Sequence, residues 1–270
     1  MTWTVAAAPS TMRHAVTDAL LLARRDLIHW VRRPSQVLSG MLFPVVSILL
    51  FGYVFGSAIV VPGGDYREFL MPGLFGQAMM FGIGQTMTAV TTDADRGVTD
   101  RFRSLPMSSS AVVAGRSIAD ILNSALDLTI LIICGLAVGW SWHLGLGAAL
   151  GGIALLLLLR LGFIWVGIYL GLILPSPESV SAAWMLLFPF TMISNIFVLP
   201  ASMPGWLAAI ADWNPLSATV GAARELFGNP GLNAGSWVRE HYILLAIAWP
   251  SLLVAIFLPL SIRRYRMLSR

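Results

Sequence analysis

The sequence predicts an all-α polytopic membrane protein, and three observations carry that prediction. Hydrophobic residues make up 57% of the 270 and charged residues only 11%, where soluble domains carry about a quarter. The apolar residues gather into runs close to the roughly 20 residues needed to cross a bilayer core. The arginines supply every basic side chain, since the sequence contains no lysine. They cluster between alternate runs, as the positive-inside pattern requires.

The elements follow in order. Residues 1–11 are small and uncharged, and a loose start is expected. Over residues 12–33, Val16, Leu20, Ala23, Leu27 and Val31 recur at helical spacing, while Arg13, Thr17, Arg24, Arg25 and Arg32 are polar. That pattern predicts a helix lying along the membrane interface, with Trp30 near the headgroups. Six spans are then expected, near Val37–Val61, Leu70–Thr91, Ser117–Trp140, Gly145–Leu174, Ser179–Pro200 and Tyr242–Ile262. Five arginines precede the first span, four lie in the loop after the second and four follow the last. Both termini are therefore expected in the cytoplasm. Residues 201–241 form a long external segment with two short amphipathic pieces, Pro204–Ala211 and Pro215–Phe227, on either side of Trp213-Asn214-Pro215. They are too short to span, and a re-entrant or capping arrangement between spans five and six is expected. The whole chain, 1–270, reads as one transmembrane domain.

Residues 93–116, DADRGVTDRFRSLPMSSSAVVAGR, interrupt the apolar pattern with four arginines and three aspartates. Pro106 stops any helix running through Arg103-Ser104-Leu105, and Ser108–Ser110 offer caps for a new one. From charge alone this is a solvated cytoplasmic loop that sets topology. Its residues say more. Asp95-Arg96-Gly97, then Asp100-Arg101-Phe102-Arg103-Ser104-Leu105-Pro106, and finally Arg116 resemble the cytoplasmic coupling segment of ABC-2 type permeases, in particular the daunorubicin-resistance-like exporters. Asn214, Pro215 and Arg224 match the same family more loosely. The resemblance implies an ATPase-coupling role for Asp95, Arg96, Gly97, Asp100, Arg101, Phe102, Arg103, Leu105, Pro106 and Arg116. It also implies two separate ATP-binding subunits that hold ATP and Mg, a second copy or sibling permease, and export of a hydrophobic drug-like or lipid-like compound across the cell membrane.

Polar residues inside the spans are the other candidates. Asp120, Asn123, Ser124 and Asp127 share one face of the third span, and Arg160 lies in the fourth. Charges are costly in lipid, so this face should meet protein or water. At a rise of about 1.5 Å per residue, Asp127 lies roughly 16 Å from Arg116 and Arg160 roughly 21 Å from Leu174, a difference an arginine side chain spans. An Asp127–Arg160 pair is expected, either fixing helix register or contacting substrate. Gln77, Phe81, Gln85 and Thr88 of the second span, with Phe188, Met192 and Asn195 of the fifth, would suit a path for hydrophobic ligands and equally suit helix packing.

Other classes are disfavoured. Cys134 is the single cysteine, so no disulfide framework or cysteine metal cluster is possible, and the four histidines are scattered without a metal-binding motif. With no lysine there is no phosphate-loop motif, so ATP hydrolysis and any cofactor are expected outside this chain. The positive net charge follows the membrane topology and not a nucleic-acid surface. A proton-coupled secondary transporter using Asp120 and Asp127 is the alternative function.

Overall fold

The computed structural model describes residues 46–54, 61, 63–95, 109–231 and 235–267, with side chains at all of these except 109–115 and 266. The interfacial helix expected over 12–33, residues 96–108 of the coupling segment and both flanks of the first expected span lie outside the described residues. Between those flanks is a π-helical turn, Leu50–Val54. Among the described residues the fold is helical, with no strand beyond an isolated bridge between Val61 and Gly64.

Helix α1 spans Tyr66–Asp95. Asp65 starts it: its Oδ1 accepts the Arg67 backbone N–H at 2.8 Å and so serves as an N-cap. The Arg67 guanidinium hydrogen-bonds the same carboxylate and holds the Asp65 carboxyl below its ordinary range. Most of α1 is buried, including Phe69, Leu70, Phe75, Met79, Ile83 and Met87. Its glycines and glutamines lower its hydropathy, which protein neighbours tolerate better than lipid would. Helix α2, Ser109–Ala137, returns antiparallel to α1. Helix α3, Gly145–Ile173, then runs parallel to α1 and stops where Leu174 becomes extended before Pro175. Among the described residues, three stretches are long and apolar enough to cross a membrane: Arg116–Ala137 in α2, Gly145–Ile173, and Tyr242–Tyr265 in the last helix.

The fifth expected span, Ser179–Pro200, is not one continuous helix. Helix α4 covers Ser179–Met192 only, about 21 Å at 1.5 Å per residue. Local hydrogen bonds end it. Thr191 Oγ1 donates to Phe188 O at 2.7 Å and Ser194 Oγ to Thr191 O at 2.6 Å. Such hydroxyls compete with the helical ladder.

Helices α5, Gly205–Trp213, and α6, Pro215–Phe227, follow. Asn214 joins three helix ends at once. Its Oδ1 accepts the Leu216 N–H at 2.9 Å, capping α6, while its Nδ2 donates to Phe190 O and Ile193 O, both at 2.7 Å, closing the end of α4. Gly228, at φ +72°, terminates α6 in the left-handed conformation that favours glycine. Far from being a surface piece, α6 is buried along nearly its whole length against α1, α3 and the final helix. A short helix α7, Trp237–Glu240, leads into α8, Tyr242–Met267, which packs along α3.

The core at the Tyr66 end of α1 is aromatic. Phe75, Trp140 and Phe227 meet edge to face, with centroids 5.1–6.5 Å apart. Trp140 Nε1 donates to Asn229 Oδ1 at 2.8 Å and Asn229 Nδ2 to Ser141 O at 3.0 Å, so the α2–α3 turn is fastened to the end of α6.

Candidate functional site

At the Asp93 end of α1, Arg116 Nη1 donates to Asp93 Oδ2 at 2.6 Å. This pair joins α1 and α2 on either side of residues 96–108, so the expected coupling segment is tied across its base. Of the expected coupling residues, Arg116 takes part in this tie and Asp95 is exposed at the last position of α1.

Further along α1 lies a buried polar cluster. Arg160, on α3, is 3% exposed. Its Nε donates to Ser124 Oγ at 2.7 Å on α2, and its Nη2 donates to Thr86 Oγ1 at 3.0 Å on α1. Thr86 in turn donates to Asp120 Oδ2 at 2.9 Å. One guanidinium therefore ties three helices, with a carboxylate reached through a hydroxyl. Gly82 makes the room: a Cβ there would stand 2.5 Å from Arg160 Cζ. The expected Asp127–Arg160 pair takes a looser form. Asp120 and Asp127 both act on Arg160 electrostatically, but no ion pair within 4 Å joins Asp127 to Arg160 among the described residues. Ser124, one turn from each aspartate on the same face, occupies the position between them.

The residues expected along a ligand path divide in two. Gln85 and Thr88 are exposed, with Phe81 half-buried on the same stripe of α1, and Phe188 and Met192 are exposed on α4. Phe81 meets Trp184 of α4 edge to face at 4.8 Å, so the two helices are neighbours here. Gln77 and Asn195 are buried. Asn195 binds α6 instead: its backbone N–H donates to Ser217 Oγ and its Nδ2 to Ser217 O, both at 3.0 Å.

Around α6 two arginines hold the cap. Arg239 grips Asp212 with two nitrogens, Nε and Nη2 each 3.0 Å from a carboxylate oxygen, and that hydrogen-bonded carboxylate holds the guanidinium above its ordinary pKa. Arg224, 1% exposed, donates from Nε to Phe69 O at 2.8 Å and from Nη2 to Ile196 O at 3.1 Å.

Residues 17–227 match the ABC-2 type transporter family model. The chain is 34% identical over 253 residues to the daunorubicin resistance ABC transporter permease protein DrrB1 of Streptomyces coeruleorubidus, covering 93% of this chain and 87% of that protein. The chain belongs to the ABC-2 type transporter family. It is also 20% identical over 226 residues to "Probable doxorubicin resistance ABC transporter permease protein DrrC" of Mycobacterium tuberculosis, covering 81% and 80% respectively. As an ABC-2 permease it is a membrane protein and the transmembrane component of a transporter.

Several members of this ABC-2 permease's site were not singled out in the sequence. Thr86 is a threonine in an apolar helix and carries no signal of its own. Asp93 was visible only as one of three acids in the loop, and nothing local pairs it with Arg116, 23 residues away. Asp212 and Arg239 lie 27 residues apart in a segment whose turns conceal their proximity.

Proposed function

We propose that this chain is the permease subunit of an ATP-driven exporter that moves a hydrophobic drug-like or lipid-like compound out of the cell. It crosses the membrane six times with both termini in the cytoplasm, and α5 and α6 form a re-entrant cap on the external side. Two ATP-binding subunits drive it, and a second permease copy or a sibling permease completes the transport unit. The carrying observation is the uncovered stripe on α1. Most of this helix is buried, yet Gln85 and Thr88 are exposed on the stripe that continues from the half-buried Phe81, which packs on Trp184, and they lie beside the exposed Phe188 and Met192 of α4. A glutamine facing lipid in mid-membrane is costly. The stripe is better placed facing a second permease and the route between the two. Hydrophobic and flexible side chains beside sparse amide and hydroxyl groups suit ligands that vary in shape.

The drug-resistance names of the relatives support this reading, as does the Arg-Phe-Arg-Ser-Leu-Pro run at 101–106. The test is nucleotide hydrolysis and transport in nanodiscs and vesicles holding this chain with its ATP-binding subunit. Arg101→Ala and Phe102→Ala should leave insertion intact and lower transport by about tenfold, equivalent to about 1.4 kcal/mol in the barrier. Transport that persists without any ATP-binding subunit would sink the export reading.

The Asp93–Arg116 tie gives a second expectation. Because the pair is partly exposed, Asp93→Arg alone should change thermal stability by no more than about 1 kcal/mol, yet it should impair coupling by setting two arginines against each other. Asp93→Arg combined with Arg116→Asp should restore transport towards the wild-type rate. Failure of the double variant to exceed the single one would show that the tie has no part in coupling.

A further inference from the structure

Arg224 is a fully buried arginine with no carboxylate within ion-pair distance among the described residues. Burying a cation is costly, and a well-packed apolar side chain of similar volume would often serve stability as well or better. Its contacts are directional. The guanidinium lies over the Phe69 ring, Cζ 3.7 Å from the centroid, while Nε and Nη2 reach carbonyls of two other elements, Phe69 O on α1 and Ile196 O just beyond the interrupted end of α4. A planar fork suits this task, because it fixes the angle between two acceptors in a way an ammonium cannot. The same junction is closed by Asn195 on Ser217, while Ile196 lies against Gly73 of α1.

We propose that Arg224 is the positioning residue that makes the Tyr66 end of α1, the end of α4 and α6 a single moving body, so that the cap follows α1 when the coupling segment drives it. The inference rests on the export reading for its purpose but not for its geometry. The Asp93 end of the same helix carries the tie to Arg116, and its middle is bolted to α2 and α3 through Arg160. Displacement at one end of α1 is thereby delivered to the cap at the other along a helix that is continuous from Tyr66 to Asp95, with Pro72 in its second turn.

The test uses the full chain in nanodiscs, with Cys134→Ala and nitroxide-labelled cysteines at the exposed positions Ala94, near the far end of α1, and Glu225, on α6. With Arg224 present, the label distance should be narrowly distributed in the chain alone and unchanged when the ATP-binding subunit is loaded with a non-hydrolysable nucleotide. In Arg224→Gln it should broaden and become nucleotide-dependent, and transport per ATP hydrolysed should fall about fivefold while hydrolysis persists, a loss confined to the coupled step. A residue that merely stabilised the fold would lower assembly and hydrolysis together. Arg224→Lys keeps the charge and loses the fork, and so decides the question if the glutamine variant does not insert: a broadened distance supports the proposal. A distance in either variant that matches the parent, or one in the parent that shifts with nucleotide, would overturn it. If no ATP-binding subunit associates, the export reading falls, while the distances in the chain alone still judge the latch.

Discussion

Arg160→Ala should destabilise the folded protein by about 3–5 kcal/mol, the range seen when one partner of a buried charge network is removed and the other is left uncompensated. The deletion strips hydrogen bonds from Ser124 and Thr86 and leaves Asp120 and Asp127 without their nearby cation. Asp120→Asn should cost less, because an amide oxygen still accepts from Thr86. Asp127→Asn should cost least, at about 1 kcal/mol or below, since its carboxylate makes no direct bond to Arg160. Gly82→Ala should fall between, at about 1–3 kcal/mol, because the guanidinium must leave its recess. Thermal or steric-trap unfolding of the purified variants in detergent ranks the four. If Asp127→Asn proved as damaging as Arg160→Ala, the direct pair expected from the sequence would be the better description of this cluster.

That ordering also marks how far the sequence could be read. Arg160 and the two aspartates were legible because a charge inside an apolar run has few innocent explanations. Thr86 and Ser124 were not, because a hydroxyl in a helix ordinarily bonds back to its own turn. Ser124 does so here, donating to Asp120 O at 2.8 Å while accepting from Arg160, and Thr86 has Gly82 O at 3.3 Å as an alternative acceptor for the proton it gives Asp120. The helical class, the long spans of α2, α3 and α8 and the break before α6 all follow from hydropathy and turn residues. The burial of α6 does not. Its Ser217, Ala218, Thr219, Gly221, Ala222 and Ala223 look like a weakly amphipathic surface piece, but small side chains are also what lets three helices close around a fourth. Hydropathy likewise ran the fifth span on to Pro200, since it registers apolar side chains and is blind to the hydrogen bonds that stop the helix at Met192.

The residue that ties the end of α4 to the start of α6 gives the other large effect. Asn214→Ala should cost about 1–3 kcal/mol, combining a lost N-cap of about 0.5–2 kcal/mol with two partly buried carbonyls that lose a donor. Asn214→Asp separates the two roles. As a cap alone, aspartate equals asparagine, and the substitution would then be nearly silent. Here the amide nitrogen donates to Phe190 O and Ile193 O, and an ionised carboxylate would set an oxygen against both. Asn214→Asp should therefore be less stable than Asn214→Ala near neutral pH. It should recover part of the difference as the pH falls, because a protonated carboxyl regains one donor. Thermal unfolding of the two variants across a pH series checks this. An aspartate variant as stable as the parent at neutral pH would mean that Asn214 caps α6 and leaves the end of α4 to the hydroxyls of Thr191 and Ser194.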